Sequence, residues 1–310
     1  MEIFDVDKKQ YESAVRNVKY IYDSVWFHEI NGNKVEKVCY FLFKNSKNKC
    51  GMIVGIRDQT AWLPYSAPFG MVERINLMNL EEMDEVIFLL EKYLSEIGVK
   101  KIFFRLPPFF YDETFISELQ NILTGHHFVL TSVDLNYQFF LKDETYYFEH
   151  LQRNAKKNLQ RALKSNWSFH HCDDWEDKKL AYDIIAENRK SKGYPLKMSW
   201  EAIRDTCAHI SSDFFLLELE NSPIAAAIVF GVTTNIAQVI YWGDMPNSGL
   251  CRPMNYLAYQ IYRYYLNTGI EVLDIGPSTE NGIPNFGLCN FKRSIGCDVS
   301  SKLTFEKEFE

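Results

Sequence analysis

The sequence predicts an α/β fold with mixed sheets, built as two tandem units. Both halves show the same order of predicted elements, over residues 39–108 and 214–277: two strands, a helix, a glycine, and a further strand that ends at proline. The residue identities of the two halves barely match, so the repeat is one of architecture. Hydrophobic residues make up 46% of the 310 residues, which is ample for packed cores. Each unit should therefore carry a mixed sheet covered by helices.

The first half is predicted from its turn and cap residues. Asp58-Gln59 marks a hairpin turn between two strands. Asn79 is the expected N-cap of the following helix, with Glu82 as its capping-box partner, and Gly98 suits the position after the last helical residue. The predicted strands of this half are 39–45, 51–66, 101–106 and 133–141.

The second half begins with helices. We predict a long basic helix over 146–165, two further helices over 175–192 and 199–210, and one over 253–267. The predicted strands are 214–220, 223–244 with a turn inside it, and 271–275. These elements place the domain boundary after residue 143, which gives an N-terminal domain of 1–143 and a C-terminal domain of 144–310 that carries most of the site.

Composition excludes several classes of protein. The net charge of −7 argues against broad binding to nucleic acid. The seven cysteines are scattered without a CxxC pair, so we expect a reducing compartment and neither a disulfide framework nor a metal site. No run approaches the roughly 18 apolar residues of a membrane span, and the first residues lack a signal core, so a cytoplasmic protein without a membrane span is expected. Neither a Walker-A loop nor a GxGxxG motif occurs.

The most informative tract is Asp274–Gly296. A buried strand ends there at Gly276-Pro277, a polar loop follows, and an amphipathic segment then carries the adjacent pair Phe291-Lys292. Polar residues at the carboxyl end of a strand are where α/β proteins usually build their sites. The tract therefore predicts the functional site.

This layout resembles the core of the GNAT acyltransferase fold. Two such units in tandem, with a basic helix opening the second, resemble the Fem family of peptidoglycan-bridge aminoacyl transferases and its GNAT-like relatives. The resemblance covers nearly the whole chain and implies two tandem GNAT-like domains and an acyltransferase activity. The segments that carry it are Ser66–Gly70, Asn154–Asn166, Asn188–Leu196 and Asp274–Gly296.

The candidate catalytic residues are Lys292, Asp274 and Asp244. The resemblance implies that Lys292, the lysine after Phe291, stabilises charge during acyl transfer. Asp274 or its rival Asp244, each near the end of a predicted strand, would orient or deprotonate the amine. The alternatives are structural: Lys292 would be a solvated lysine, and Asp274 would bind backbone amides of its own turn.

Other residues would bind the two substrates. Basic residues on one face of the helix from about residue 146 would bind phosphates, unless that face is simply solvated. The aromatic residues are candidates for an acceptor pocket, with core packing as the alternative. The predicted acceptor-binding residues are Phe291, Trp242, Ser278, Asn281, Asn285 and Tyr194. The predicted donor phosphate-binding residues are Arg252, Arg153, Lys157 and Arg161.

Three functions remain open from the sequence. The first is direct transfer of an acyl group from acyl-CoA, a co-substrate rather than a tightly bound cofactor, to a small-molecule amine acceptor. The second, implied by the same resemblance, takes an aminoacyl group from transfer RNA to a peptidoglycan precursor. It is disfavoured because no long helical hairpin is present in the second half. The third is a noncatalytic GNAT-like binding protein, suggested by a single glycine at 245–252 where GNAT enzymes carry a glycine-rich pyrophosphate loop.

Overall fold

The computed structural model describes residues 1–194, 196–246 and 248–309. Contacts between Cα atoms divide the chain into two compact units. Unit 1 comprises Met1–Leu135, Glu280–Ile283 and Ser300–Glu310, and unit 2 comprises Asn136–Thr279 and Pro284–Val299. The boundary after residue 143 stays a sequence-based prediction. The units first change at Leu135–Asn136, because the strand from Asn136 pairs with residues of unit 2, and the end of the last strand pairs within unit 1.

Within unit 1 the strands pair in the order β1-β2-β3-β4-β6-β15, with β5 also paired to β3. Most neighbours are antiparallel, but β4 and β6 are parallel, and α3 connects them. These strands are β1 (Glu2–Val6), β2 (Lys37–Lys44), β3 (Asn48–Arg57), β4 (Thr60–Leu63), β5 (Glu73–Arg74), β6 (Lys101–Arg105) and β15 (Asp298–Glu308). The helices are α1 (Lys8–Ala14), α2 (Val25–Ile30), α3 (Leu80–Glu96) and α4 (Glu113–Gly125).

The local signals of the first half are confirmed. Asp58 and Gln59 both have positive φ, at 50° and 55°, which is the hairpin geometry expected of them. Asn79 and Glu82 form the capping box at the start of α3. Gly98 has a φ of 84°, as a residue just past a helix end requires. Each of these features depends only on neighbours within a few residues, so the sequence reveals it.

Within unit 2 the strands pair in the order β7-β12-β11-β10-β9-β8, with both parallel and antiparallel neighbours. Its strands are β7 (Val129–Phe140, in this unit from Asn136), β8 (Trp167–His171), β9 (Ser212–Leu219), β10 (Ser222–Gly231), β11 (Ile236–Asp244) and β12 (Val272–Pro277). A separate two-stranded hairpin consists of β13 (Thr279–Glu280) and β14 (Ile283–Pro284), and its residues Glu280–Ile283 are counted in unit 1. The helices of unit 2 are α5 (Glu144–His150), α6 (Arg153–Ala162), α7 (Trp175–Ser191), α8 (Trp200–Cys207), α9 (Pro253–Tyr265) and α10 (Phe286–Ser294).

The predicted repeat of architecture is present. In unit 2, β9, β10 and β11 are antiparallel, α9 follows, and β12 then pairs parallel to β11. Unit 1 has the same sequence of elements in β2, β3, β4, α3 and β6. The middle of β10, Ala225–Phe230, is buried on both faces, with α7 and α9 packed against this strand. Small and aliphatic residues fill it for that reason.

Some expected elements differ. The single basic helix predicted over 146–165 is two helices, α5 and α6, separated at Leu151 and Gln152. Both residues are extended, and the Gln152 amide donates to the Ser294 carbonyl instead of continuing a helix. Six strands, β1, β5, β8, β13, β14 and β15, were not predicted. Among the described residues, no helix combines the length and the apolar character that crossing a bilayer would require.

Candidate functional site

Strands β11 and β12 separate toward their carboxyl ends. They pair in parallel register only through Ile236–Val272, Ala237–Leu273 and Gln238–Asp274. Beyond that point β11 stays paired with β10, and β12 stays paired with β7 after a register shift. Past Gln238 and Asp274, the two strands therefore pair with different neighbours and not with each other. The carboxyl ends of parallel strands that diverge in this way are where α/β folds place ligand sites.

Asp274 is the centre of a buried hydrogen-bond cluster at this separation. Its side chain is fully buried, and one carboxylate oxygen accepts from Asn136 Nδ2 at 2.6 Å and from the Gly276 amide at 2.7 Å. The other oxygen accepts from Gln238 Nε2 at 2.6 Å. The hydrogen bond from the Gly276 amide is of the kind expected if Asp274 binds the backbone of its own turn, which was the structural alternative to a role as catalytic base. A carboxylate held by three donors on three strands is well placed to fix β7, β11 and β12 together at the point where β11 and β12 part.

Lys292 is buried rather than solvated. Only 2% of it is exposed, and its Nζ donates to the carbonyls of Ile275, Gly276 and Pro277 at 2.9, 2.8 and 3.1 Å. Gly276 has a φ of 76°, a conformation that glycine adopts without strain. Burial lowers the pKa of Lys292 to about 8, while the charge of Asp274 acts in the opposite direction. Three backbone carbonyls at the end of β12 therefore surround the ammonium group of Lys292.

Asp244 lies at the end of β11 and is held from α7. Asn188 Nδ2 donates to the Asp244 carbonyl at 2.5 Å and to its carboxylate at 3.0 Å, and Ser248 Oγ donates to the carboxylate at 3.2 Å. The approach of α7 is close, because a Cβ on Gly243 would lie 2.9 Å from Asn188 atoms. Asp244 is partly exposed, at 18% of its side chain, which makes it more accessible to a substrate than Asp274.

The predicted acceptor-binding residues are only partly brought together. Trp242 and Phe291 are half-buried and make an edge-to-face ring contact with centroids 6.1 Å apart. Tyr194, in contrast, is 62% exposed. Ser278 is buried, and its hydroxyl has no hydrogen-bond partner within the described residues. For all four, a role in binding substrate stays a prediction.

The two predicted asparagines are placed differently. Asn285 is the N-cap of α10, where its side chain accepts from the Leu288 amide at 3.0 Å. Helix capping is therefore sufficient to account for an asparagine at position 285. Asn281 is exposed, has a φ of 52°, and is counted in unit 1. Asparagine tolerates this left-handed conformation better than most residues, so turn geometry accounts for it as well.

The predicted phosphate-binding residues are exposed. Ala155, Leu159 and Ala162 form the buried face of α6, and the basic residues occupy the rest of its surface. None of these cations forms an ion pair with another residue of the described chain. The basic residues of this face are Arg153, Lys156, Lys157 and Arg161, with Lys164 just beyond the helix. Arg252 is also exposed and precedes α9 in a left-handed conformation, with no side-chain capping bond; Asn247 of the same loop lies outside the described residues.

Several residues of the site were missed. Asn136, Gln238 and Asn188 are buried polar side chains that hold the two aspartates. A signal did exist for Gln238, since it is a polar residue among apolar neighbours in β11 and buried polar groups need partners. Across the residues that the structure describes, no group of three or more His, Cys, Asp or Glu side chains is arranged to hold a metal ion.

Solved structures share this architecture over their full lengths. FemX covers 100% of this chain and 98% of its own, with a TM-score of 0.71 at 10% identity. A tandem GNAT protein from the clavulanic acid biosynthesis pathway covers 99% and 98%, with a TM-score of 0.51 at 7% identity. The chain has a tandem GNAT-like fold.

The tandem GNAT-like fold is also similar to a domain of another class of protein. The C-terminal domain of a putative lysylphosphatidylglycerol synthetase from Agrobacterium fabrum covers 98% of this chain and 93% of its own, with a TM-score of 0.61 at 10% identity. At such identities the likeness concerns the fold alone. No protein-family model matches the sequence, and no curated protein matches it either.

Proposed function

We propose that this protein transfers an acyl group directly from acyl-CoA to an amine. The observation that carries the proposal is the buried cation of Lys292, enclosed at the carboxyl end of β12 where β11 and β12 part. Trp242 and Asp244 lie at the carboxyl end of β11, and Phe291 lies in α10. The tandem GNAT-like fold, shared with FemX and a tandem GNAT protein, supports acyl or aminoacyl transfer in general.

Direct transfer needs three functions from the protein: removal of a proton from the amine, stabilisation of the oxyanion, and alignment of the substrates. Asp244 is the better base, because it is partly exposed whereas Asp274 is fully buried and hydrogen-bonded. Lys292 would stabilise the oxyanion by exchanging one carbonyl acceptor for it. Asp274 would act as a positioning residue that holds β11 and β12 together at the point where they part.

The donor's phosphates would bind to exposed cations. Arg153, Lys157 and Arg161 on α6 carry positive charge that no acid of the described chain neutralises. Arg252 stands at the N-terminus of α9, a helix of 13 residues whose first amides favour an anion. The acceptor would be held by Trp242 and Phe291, with Ser278, Asn281, Asn285 and Tyr194 as further candidate contacts.

Calorimetric titration tests the donor. We expect acetyl-CoA and desulfo-CoA to bind with micromolar affinity, on the order of −8 kcal/mol. The Lys157→Gln/Arg161→Gln variant should bind more weakly and with a smaller salt dependence, because two phosphate contacts are removed. Lys92→Gln, an exposed lysine of α3, is the charge control. Absence of binding by the wild-type chain would reject the CoA donor.

A second candidate takes an aminoacyl group from transfer RNA. The observation that favours it is the concentration of unpaired cations on α6 in a chain whose net charge is −7. Phosphate-backbone binding is strongly salt-dependent. Tight, salt-sensitive binding of charged transfer RNA without binding of acetyl-CoA would favour this candidate, whereas failure to bind either would favour a noncatalytic protein.

Lys292→Met should abolish most of the turnover with an amine acceptor found by screening. Loss of one oxyanion-stabilising donor typically lowers kcat about 10²–10³-fold. Because the pKa of Lys292 is about 8, wild-type activity should also fall as pH rises through that value, since the ammonium is then lost. Arg293→Met, at the neighbouring exposed position, is the matched control. Unchanged turnover in a folded Lys292→Met variant would contradict the assignment.

A further inference from the structure

Three segments of unit 2, which end α7, precede α9 and include most of α10, meet around the last residues of β11. Asn188, beside the first segment, donates to the Asp244 carboxylate at 3.0 Å, and Ser248 of the second segment donates to the same carboxylate at 3.2 Å. Phe291 of the third segment has its ring centre 6.1 Å from that of Trp242, which lies two residues before Asp244. We name their exposed surface the basic rim, and the segments are residues 189–197, 245–252 and 284–293.

The basic rim carries positive charge and no acidic residue of its own. Neither aspartate nor glutamate occurs in its three segments, although the whole chain has 41 Asp and Glu residues against 34 Lys and Arg residues. The exposed cations of the rim are Lys190, Lys192, Lys197, Arg252 and Arg293. One acid outside the segments, Asp244, has its carboxylate 3.8 Å from Lys192 Nζ. A surface with one predominant sign of charge attracts an extended partner of the opposite sign.

Large apolar side chains are exposed in the same three segments. Leu250 is 91% exposed, Phe286 72% and Tyr194 62%. The tyrosine stays at the end of α7, because its amide donates to the Arg189 carbonyl at 2.9 Å. Single exposed apolar residues are common on proteins, but apolar residues interspersed with lysine and arginine are typical of surfaces that lie on a bilayer. Nucleic acid would match the cations but not Leu250, which has no ring to stack on a base.

We propose that the basic rim binds the surface of an anionic lipid bilayer. Leu250, Phe286 and Tyr194 would enter the region between the headgroups and the acyl chains, while the cations would attract the lipid phosphates. Such binding is peripheral and requires no spanning helix. It would place the carboxyl end of β11, with Asp244, next to the bilayer. The surface consists of exposed residues of one unit, and its binding to lipid does not depend on the acyl transfer proposed above.

Sedimentation of the full-length chain with lipid vesicles provides the test. We expect the wild type to bind vesicles made of phosphatidylglycerol and phosphatidylcholine in equal parts, and to bind pure phosphatidylcholine vesicles much more weakly. Leu250→Ser/Phe286→Ser should lower the affinity for the mixed vesicles about tenfold, because two apolar side chains no longer enter the bilayer. Leu77→Ser, at a leucine of unit 1 that is 95% exposed, should bind as the wild type does. All three positions are exposed, so these variants should keep the fold.

A second pair of variants tests the contribution of charge. Lys190→Gln/Arg252→Gln removes two exposed cations of the rim and should bind the mixed vesicles at least about tenfold more weakly than the wild type. Its control is Lys47→Gln/Lys92→Gln, which removes two exposed lysines of unit 1 and should leave vesicle binding unchanged. The difference between the two double variants separates attraction by the rim from the effect of net charge.

Several outcomes would overturn the proposal. One is that the wild type binds neither kind of vesicle, and another is that the folded apolar double variant binds as the wild type does. Loss of vesicle binding in Lys157→Gln/Arg161→Gln alone would assign the lipid to α6 instead. Binding of transfer RNA through the rim cations, without binding of vesicles, would assign the rim to nucleic acid.

Discussion

Glu73→Gln should stabilise unit 1 by about 3 kcal/mol at a pH of about 8.5 and have little effect at about pH 4. Glu73 is 5% exposed, and burial raises the pKa of its carboxyl from 4.5 to about 7. A carboxyl group with a raised folded-state pKa carries no penalty below its unfolded pKa. It destabilises the folded state progressively as pH rises through the folded-state value. Glutamine removes that penalty because it carries no charge.

The geometry explains why this carboxyl is poorly compensated. Among the described residues, Glu73 Oε2 accepts a hydrogen bond from the Lys19 amide alone, at 3.1 Å, whereas the Lys19 and Arg74 side chains pair with Asp112 at 2.6 Å each. Asp23 is a second buried carboxyl, and one of its oxygens has no partner within the described residues. Burial and the charge of Glu73 raise the pKa of Asp23 well above its usual range. Asp23→Asn should therefore have an effect of the same sign.

Urea unfolding of the full chain at several pH values measures both effects. The quantity compared is the difference in unfolding free energy between variant and wild type, which should grow with pH. Glu2→Gln, at an exposed position of β1 in the same unit, should show no such growth. A difference for Glu73→Gln that stays constant between about pH 4 and about pH 8.5 would show that the carboxyl is not destabilising.

Local chemistry made part of the fold predictable. The Asn79–Glu82 capping box and the left-handed turn at Asp58-Gln59 depend on residues within one helical turn or hairpin, and both were found as expected. The break between α5 and α6 could not be found in this way. It depends on the Ser294 carbonyl, which accepts from the Gln152 amide across a long stretch of sequence. Tertiary contacts override propensity at such positions.

In the candidate site, too, local features were predictable from the sequence and tertiary contacts were not. The sequence predicted a site at the end of β12, from Gly276-Pro277 and from the Phe291-Lys292 pair that follows in α10, and that this is the functional site stays a prediction. It did not reveal that Lys292 is buried, since the three carbonyls that accept its hydrogen bonds come from a different element, β12, rather than from α10. A lysine on an amphipathic helix looks the same in sequence whether its head is solvated or enclosed.

Asp274→Asn should destabilise unit 2 by about 3–5 kcal/mol, because it breaks a buried, charged hydrogen-bond cluster. The carboxylate accepts from three donors: Asn136 Nδ2, Gln238 Nε2 and the Gly276 amide. An amide at this position offers one acceptor oxygen and one NH₂ group, so either its NH₂ group faces the Gln238 NH₂ group or the Gln238 amide has to turn over. The variant also removes the negative charge that favours the ammonium form of Lys292.

The Asp274→Asn/Gln238→Glu double variant separates hydrogen bonding from catalysis. The carboxylate introduced at position 238 accepts from the amide introduced at position 274, so the charge and one bond are restored and part of the lost stability should return. Urea unfolding measures the stability, and acyl-transfer turnover is measured on the same samples. If Asp274 is a positioning residue, turnover should recover together with stability in the double variant. Stability that recovers without turnover would instead indicate that the Asp274 carboxylate takes part in the reaction.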